Sequence, residues 1–277
     1  MSIERVSIEI STRCAKACWF CYSHSGPEGG TRWSTDDLVA LVRDCAANGV
    51  KAVSFGGGEP LEHAPLFEIL ARLRGALFRS FTTNGLLLDS LASRVIEAAP
   101  DKVHVSIHFP ERAAEVDRIA RQVEELRSAG IRSGVNLLVR RSRLEAARAA
   151  VAALGERGIG LDRIVLLPMR GAASRDDTPT PRDIAHVAGG QRFQSMTCLA
   201  ACAKSPRFAS IAADRTAAWC SYTAARVPLR GPSFAALAAA LQHLDLTYCG
   251  EPDERSDRLV RLSRRPLDGH DVVRGRP

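Results

Sequence analysis

Three cysteines fall within the eight residues CAKACWFC (14–21), spaced Cys14-x3-Cys18-x2-Cys21, directly after a strand-like run and before a glycine-rich loop. Thiols gathered this closely serve a disulfide framework, a zinc site or an iron–sulfur cluster. The first residues, Met1-Ser2-Ile3-Glu4-Arg5, pass straight into an alternating strand pattern with no apolar signal region. The most apolar later stretch, FAALAAALQHL (234–244), is too short to span a bilayer. The expected location is therefore the cytoplasm, where thiols stay reduced and the eight cysteines favour metal over disulfides. Three thiolates on one short loop suit a cubane cluster with its fourth iron left open. Zinc would need a fourth ligand, for which His24 is the near candidate.

The elements that must position these cysteines read as alternating strands and helices. Strand-like runs cover 5–11, 51–57, 77–85, 102–109, 131–139 and 163–168. Helical patterns cover 34–49, 65–75, 89–99, 111–130 and 143–158. In the first helix Ser34 and Asp37 fit a capping box and Gly49 a C-terminal stop. Strands separated by helices of this length predict an α/β chain with right-handed crossovers and a parallel sheet, either open or a partial barrel. Ligands of such sheets bind at the carboxyl ends of the strands. The motifs fall there: the cysteines after strand one, GGGEP (56–60) after strand two, TTNG (82–85) closing strand three, Ser106 and His108 late in strand four. Glycines at such a rim let backbone groups approach a ligand that a Cβ would hold off. Cys45 lies between apolar positions of a helix and reads as core packing.

Beyond residue 171 the alternation stops. AASRDDTPTP reads as a linker, PRDIAHVAG as a short helix, and 198–222 as two short strands around an Asp214-Arg215 turn. A helix at about 232–244 leads to Cys249, and the last 25 or so residues read as a charged, frayed tail. The overall make-up, 45% hydrophobic and 25% charged, is that of a soluble globular protein. The net charge of +7 comes from dispersed arginines, and aromatics are only 5%, so neither a nucleic acid nor a membrane is an expected partner.

With these companions, the CxxxCxxC loop and its aromatic Phe20 resemble the signature of the radical S-adenosylmethionine (SAM) enzymes, over roughly residues 5–170. The resemblance implies a partial (β/α)6 barrel and a [4Fe-4S] cluster on Cys14, Cys18 and Cys21 that binds SAM and cleaves it to a 5′-deoxyadenosyl radical. It places Phe20 against the cofactor and Gly56, Gly57, Gly58 and Glu59 at the SAM amino group. Thr83 would border the methionyl group, Ser106 the ribose hydroxyls, and Asn136 and Met169 would line the SAM pocket. Many relatives carry an acid where this chain has His108, which makes that histidine a candidate catalytic proton donor or acceptor. Arg140, Arg141 and Arg170, after strands five and six, are candidates for an anionic substrate.

Cys202-x12-Arg215-x4-Cys220 resembles the start of the SPASM and twitch auxiliary-cluster modules, with Arg215 in place of their turn glycine. That implies a small α+β twitch-like extension holding a second iron–sulfur cluster on Cys198, Cys202, Cys220 and Cys249. Structural zinc on the same four cysteines is the alternative. The expected organisation is a barrel over 1–180, a cluster module over 181–250 and a flexible tail over 251–277. Strand one begins by about residue 5, which leaves no room ahead of it for the peptide-recognition domain that peptide-modifying relatives often carry. The expected substrate is therefore a small polar metabolite of natural-product or cofactor biosynthesis, undergoing oxidation, epimerisation or rearrangement. A ribosomally made peptide is the alternative, and a non-catalytic iron–sulfur electron carrier the reading from another class. A flavodoxin- or ferredoxin-type protein is the implied electron donor.

Overall fold

The computed structural model describes residues 3–170, 176–195, 207–223, 225–242 and 244. The chain opens with β1 (Arg5–Ser11), α1 (Thr35–Ala47), β2 (Ala52–Gly57), α2 (Leu66–Arg72) and β3 (Phe78–Thr83). Then come α3 (Leu88–Ala98), β4 (Lys102–Ile107), α4 (Ala113–Ser128), β5 (Arg132–Val139), α5 (Leu144–Glu156) and β6 (Ile164–Pro168). The remainder comprises α6 (Pro181–Val187), β7 (Gln194–Ser195), β8 (Phe208–Ile211), β9 (Thr216–Ala218), β10 (Val227–Pro228) and α7 (Phe234–Leu241). Two bodies divide the chain, residues 1–80 with 202–277, and residues 81–201.

In the first body β1 lies between two parallel neighbours. Arg5 to Glu9 pair in step with Ala52 to Gly56 of β2, and Arg5 to Ile8 with Phe208 to Ile211 of β8. The antiparallel hairpin of β8 and β9 and the short β10 extend this edge. The sequence gives no sign that β8 joins β1, because four residues of parallel pairing leave no periodic signature. Helix α1 forms where expected. The Ser34 hydroxyl accepts from the Asp37 N–H at 3.1 Å, and Leu38, Val39, Leu41, Val42 and Cys45 form its buried stripe. The reciprocal half of the capping box is missing, since the Asp37 carboxylate is engaged by Arg215. Gly49, with φ of 93°, ends the helix.

Arg215 takes the left-handed turn conformation that favours glycine, with φ of 69°. Three contacts offset that strain: the bridge to Asp37, a stack 4.5 Å from the Trp33 ring, and an Asp214 carboxylate that accepts from Thr216 N–H at 3.0 Å.

In the second body β4, β5 and β6 run parallel in unbroken register, Lys102↔Arg132 to Ile107↔Leu137 and Val135↔Ile164 to Val139↔Pro168. Alternation sorts the residues. Val103, Val105, Ile107, Val135, Leu137, Val139, Ile164 and Leu166 are fully buried, whereas His104, Asn136, Leu138, Val165 and Leu167 are half-buried on the other face. Val116, Ile119, Ala120, Val123 and Leu126 give α4 its apolar stripe.

Burial, aided by the Lys102 charge, pushes His104 down from 6.5 to about 4. The folded chain therefore holds this ring neutral, while the unfolded chain takes up a proton near pH 6.5. Stability is expected to rise with pH between those values and to be lost as pH falls toward 4, by up to about 3 kcal/mol. Urea midpoints against pH should show a shallower slope in His104→Leu than in wild type. Parallel profiles would contradict the assignment.

Candidate active site

The cysteine loop is tied down by its own backbone. Thr12 N–H donates to Gly30 O at 2.8 Å, Cys14 N–H to Gly26 O at 2.9 Å and Gly26 N–H to Thr12 O at 3.0 Å. Gly29 has no room for a side chain, since a Cβ there would lie 2.1 Å from Thr12 O. Within the loop, Cys21 N–H reaches Cys18 O and His24 N–H reaches Cys21 O, with Ala17 and His24 at positive φ. All three cysteines are half-buried. Burial pushes the Cys14 thiol up, and the Lys16 and Ala17 N–H groups, donating to it, pull the other way.

The glycine loop locks onto this assembly. Gly58 N–H donates to Ser11 O at 2.7 Å and Glu59 N–H to Arg13 O at 2.8 Å. From the other side, Ala15 N–H donates to the Glu62 carboxylate at 2.8 Å. A Cβ on Gly58 would lie 2.0 Å from Arg13 O, and one on Gly57, whose φ is 101°, 2.5 Å from Ser11 O. At Gly56 a Cβ would meet nothing within 4 Å, so that side of the loop is open to a ligand. The buried Glu59 carboxylate caps the turn after it, accepting from Leu61 N–H at 3.0 Å. Cys14, Cys18, Cys21 and Gly56–Glu59 thus form one backbone-braced constellation in the first body. Phe20 stands edge-on to Trp19 with centroids 5.2 Å apart, and Trp19 is 62% exposed.

In the second body most of the remaining candidates sit at or just beyond the carboxyl ends of their strands, while Asn136 lies midway along β5. Thr83 is buried and its hydroxyl accepts from Gly85 N–H at 3.0 Å. Ser106 of β4 stands opposite Asn136 of β5. His108 follows β4, its N–H donating to Glu115 at 2.7 Å, so that an acid in the first turn of α4 fixes this rim. Met169 is buried, with its N–H on Val139 O at 2.9 Å. Arg140 and Arg170 are 7% and 5% exposed, unlike surface arginines. Arg140 binds Glu111 at 2.7 Å, whereas Arg141 is half exposed.

Among the described residues, no three Cys, His, Asp or Glu side chains converge on a point able to hold a single metal ion. Zinc on Cys14, Cys18, Cys21 and His24 would need donors about 2.0–2.3 Å from one centre, and therefore a rearranged loop. A cubane, built of several irons, spaces its cysteines further apart. Half-buried thiols with N–H donors at one of them, beside a glycine loop with an open face, fit such a cluster and a ligand next to it.

The model of the radical SAM superfamily matches residues 8–178, more than half of the chain. The chain belongs to that superfamily. Members use a [4Fe-4S] cluster and SAM. A probable GTP 3′,8-cyclase of Methanopyrus kandleri is 36% identical over 110 residues, 40% of this chain and 36% of the relative. One from Sulfolobus acidocaldarius is 29% identical over 140 residues, 47% of this chain and 45% of the relative. The chain thus matches less than half the length of these curated relatives. Among solved structures, Streptococcus suis SuiB bound to SAM superposes with a TM-score of 0.65 at 15% identity, covering 79% of this chain and 60% of SuiB. The anSMEcpe structure with bound AdoMet and a Cp18Cys peptide gives 0.61 at 14%, covering 96% and 84%. Both likenesses establish the fold, a mixed α/β arrangement of parallel strands as in radical SAM enzymes. Among the described residues no helix is long and apolar enough to cross a membrane.

Several residues of the first body escape a reading of the sequence. Glu9, buried in β1, accepts from Ala213 N–H and is held toward its ionised form by the Arg226 charge. Tyr22, next to Cys21, stacks on Tyr222 at 4.9 Å. The one available signal was the alternation in SIEIS, which puts Glu9 on the face opposite Ile8 and Ile10. Of the four later cysteines, Cys220 is half-buried after β9, while Cys198, Cys202 and Cys249 lie outside the described residues.

Proposed function

We propose that this chain is a radical SAM enzyme whose cluster is held by Cys14, Cys18 and Cys21 and whose substrate is a small polar metabolite. The supporting observation is the bracing of the cysteine loop by the glycine loop, with Gly57 and Gly58 packed against Ser11 and Arg13. When bound, the cluster supplies the electron that cleaves SAM to methionine and the 5′-deoxyadenosyl radical, which takes a hydrogen atom from a substrate C–H bond. The backbone of Gly56–Gly58 receives the methionine ammonium, and Glu59 fixes the turn that presents it. Thr83 borders the methionyl group, Ser106 holds the ribose, Asn136 and Met169 line the SAM pocket, and Phe20 packs against the cofactor. His108 exchanges a proton with the substrate. Arg140 and Arg170 provide positive charge for an anionic substrate group. Cys198, Cys202, Cys220 and Cys249 hold an auxiliary iron–sulfur cluster able to accept an electron from the substrate radical, which suits oxidation. A flavodoxin- or ferredoxin-type protein supplies the reducing electron.

The similarity to proteins named as GTP cyclases supports a small polar substrate. The peptide-bound neighbours, SuiB with its precursor SuiA and anSMEcpe, keep a peptide as the second reading. The two separate in one assay. Low-mass and peptide fractions of a cell extract are added to reduced enzyme and SAM, and 5′-deoxyadenosine is measured. Stimulation by the low-mass fraction is expected, and stimulation confined to the peptide fraction would overturn the substrate assignment.

A further inference from the structure

Ser23 lies where the cysteine loop meets the glycine loop. Its Oγ is 3.3 Å from Cys21 Sγ, 3.2 Å from the Gly57 carbonyl oxygen and 2.8 Å from Ser25 Oγ. A serine hydroxyl has one proton to donate. A metal-bound Cys21 sulfur and the Gly57 carbonyl are both acceptors only, so they compete for it. The buried Ser25 hydroxyl can donate to Ser23 whichever way that proton points.

We infer that Ser23 is a positioning residue that divides its single proton between the Cys21 thiolate and the Gly57 carbonyl, coupling ligand occupancy of the glycine loop to reduction of the cluster. The inference rests on the reading that Cys21 ligates the cluster and that the glycine loop receives an ammonium group. With that loop empty, the Gly57 carbonyl draws the Ser23 proton. An ammonium donating to this carbonyl makes it a poorer acceptor, and Ser23 turns its proton toward Cys21. A hydrogen bond to a cluster sulfur favours the more negative, reduced state. Seating the ligand therefore eases reduction, so an electron is delivered when SAM is in place to use it. The event is a rotation about one Cβ–Oγ bond, and no bond to a heavy atom is made or broken.

The test uses the full chain, reconstituted anaerobically with iron and sulfide and held at one fixed potential. The reduced fraction is read by electron paramagnetic resonance with and without SAM, on the signal that Cys14→Ala/Cys18→Ala/Cys21→Ala lacks. Wild type is expected to show a higher reduced-to-oxidised ratio with SAM. Ser23→Ala is expected to lose most of this response, its ratio with SAM falling about tenfold below wild type, or about 59 mV for a one-electron couple. Ser23→Thr keeps the hydroxyl and should restore the response. Should Ser23→Ala load less iron, Ser23→Cys decides, since it has nearly the same shape but a weaker donor and should respond less than wild type. A full SAM response in Ser23→Ala, or in Ser23→Cys where that variant decides, overturns the inference and leaves the SAM reading intact. A wild-type signal indifferent to SAM also overturns the inference, and the SAM reading then stands or falls on 5′-deoxyadenosine formation.

Discussion

Gly58→Ala is expected to lower SAM cleavage at least about 100-fold and to cut the iron bound by the Cys14–Cys21 loop, while leaving most of the fold in place. The added methyl would lie 2.0 Å from Arg13 O and 2.7 Å from Arg13 C, and both are backbone atoms that cannot swing aside. The strain is relieved only by parting the two loops, which breaks the bonds from Gly58 N–H to Ser11 O and from Glu59 N–H to Arg13 O. Cys14 is the next residue, so the thiols proposed to hold the cluster move with the backbone. A misplacement of about 1 Å in a reacting constellation costs on the order of 100-fold in rate. Gly56→Ala is the matched comparison, because a Cβ there meets nothing within 4 Å. It should load iron normally and bind SAM more weakly, its methyl occupying the open side of the loop. Anaerobic iron analysis with isothermal titration of SAM reads both effects. Equal iron loading and activity in Gly58→Ala and wild type would contradict the bracing.

Arg226→Met is expected to destabilise the protein by about 3 kcal/mol, because several backbone and hydroxyl acceptors lose a charged donor at once. The Arg226 guanidinium donates to Thr216 Oγ1 at 3.0 Å, to Thr216 O at 3.2 Å and to the Ser210 and Cys220 carbonyls, binding β8, β9 and the Cys220 turn together. Its substitution strips these acceptors of their donor and removes a positive charge that favours ionised Glu9. Burial already pushes the Glu9 carboxyl up, opposed first by the Arg226 charge and then by the Ala213 N–H. Burial likewise disfavours the charged form of Arg226. The melting temperature should fall by on the order of 10 °C. Glu9→Gln/Arg226→Met should lose less than the sum of the single variants, because the attraction between the two charges can be lost only once. A melting temperature within a degree or so of wild type in Arg226→Met would contradict the account of this cluster.

The sequence and the structure agree most closely where local pattern and tertiary need coincide. Strands β1 to β6 and helices α1 to α5 match the runs that periodicity marks out, α3 alone starting one residue before its run, because each is long enough to bury a complete face. The left-handed turn at Arg215 was legible as a turn, but its stabilisation by Trp33 and Asp37 was not, since those partners lie far away in sequence. Strands β7 and β10 are two residues each and are defined by pairing alone. In the candidate site, the three cysteines and GGGEP, which the structure brings together, are legible because the chemistry proposed for them restricts residue type and spacing. Ser23, Glu62 and Arg226 do not. A serine, a glutamate and an arginine are ordinary residues in sequence, and acquire their roles only when a distant backbone group arrives within 3 Å or so. Arg140 shows the reverse: its place at a strand end was legible, while its burial against Glu111 required the fold.

The most direct measurement is iron content and 5′-deoxyadenosine formation in the anaerobically reconstituted chain, comparing wild type with Cys14→Ala/Cys18→Ala/Cys21→Ala. The account predicts SAM cleavage under dithionite in wild type and none in the variant. It also predicts about eight irons per chain falling to about four, as two cubane clusters require. About four irons falling to near none would remove the auxiliary cluster while leaving the SAM site intact. Undiminished SAM cleavage by the triple variant, or none by iron-loaded wild type, would contradict the central claim that these three cysteines hold the cluster at which SAM is cleaved.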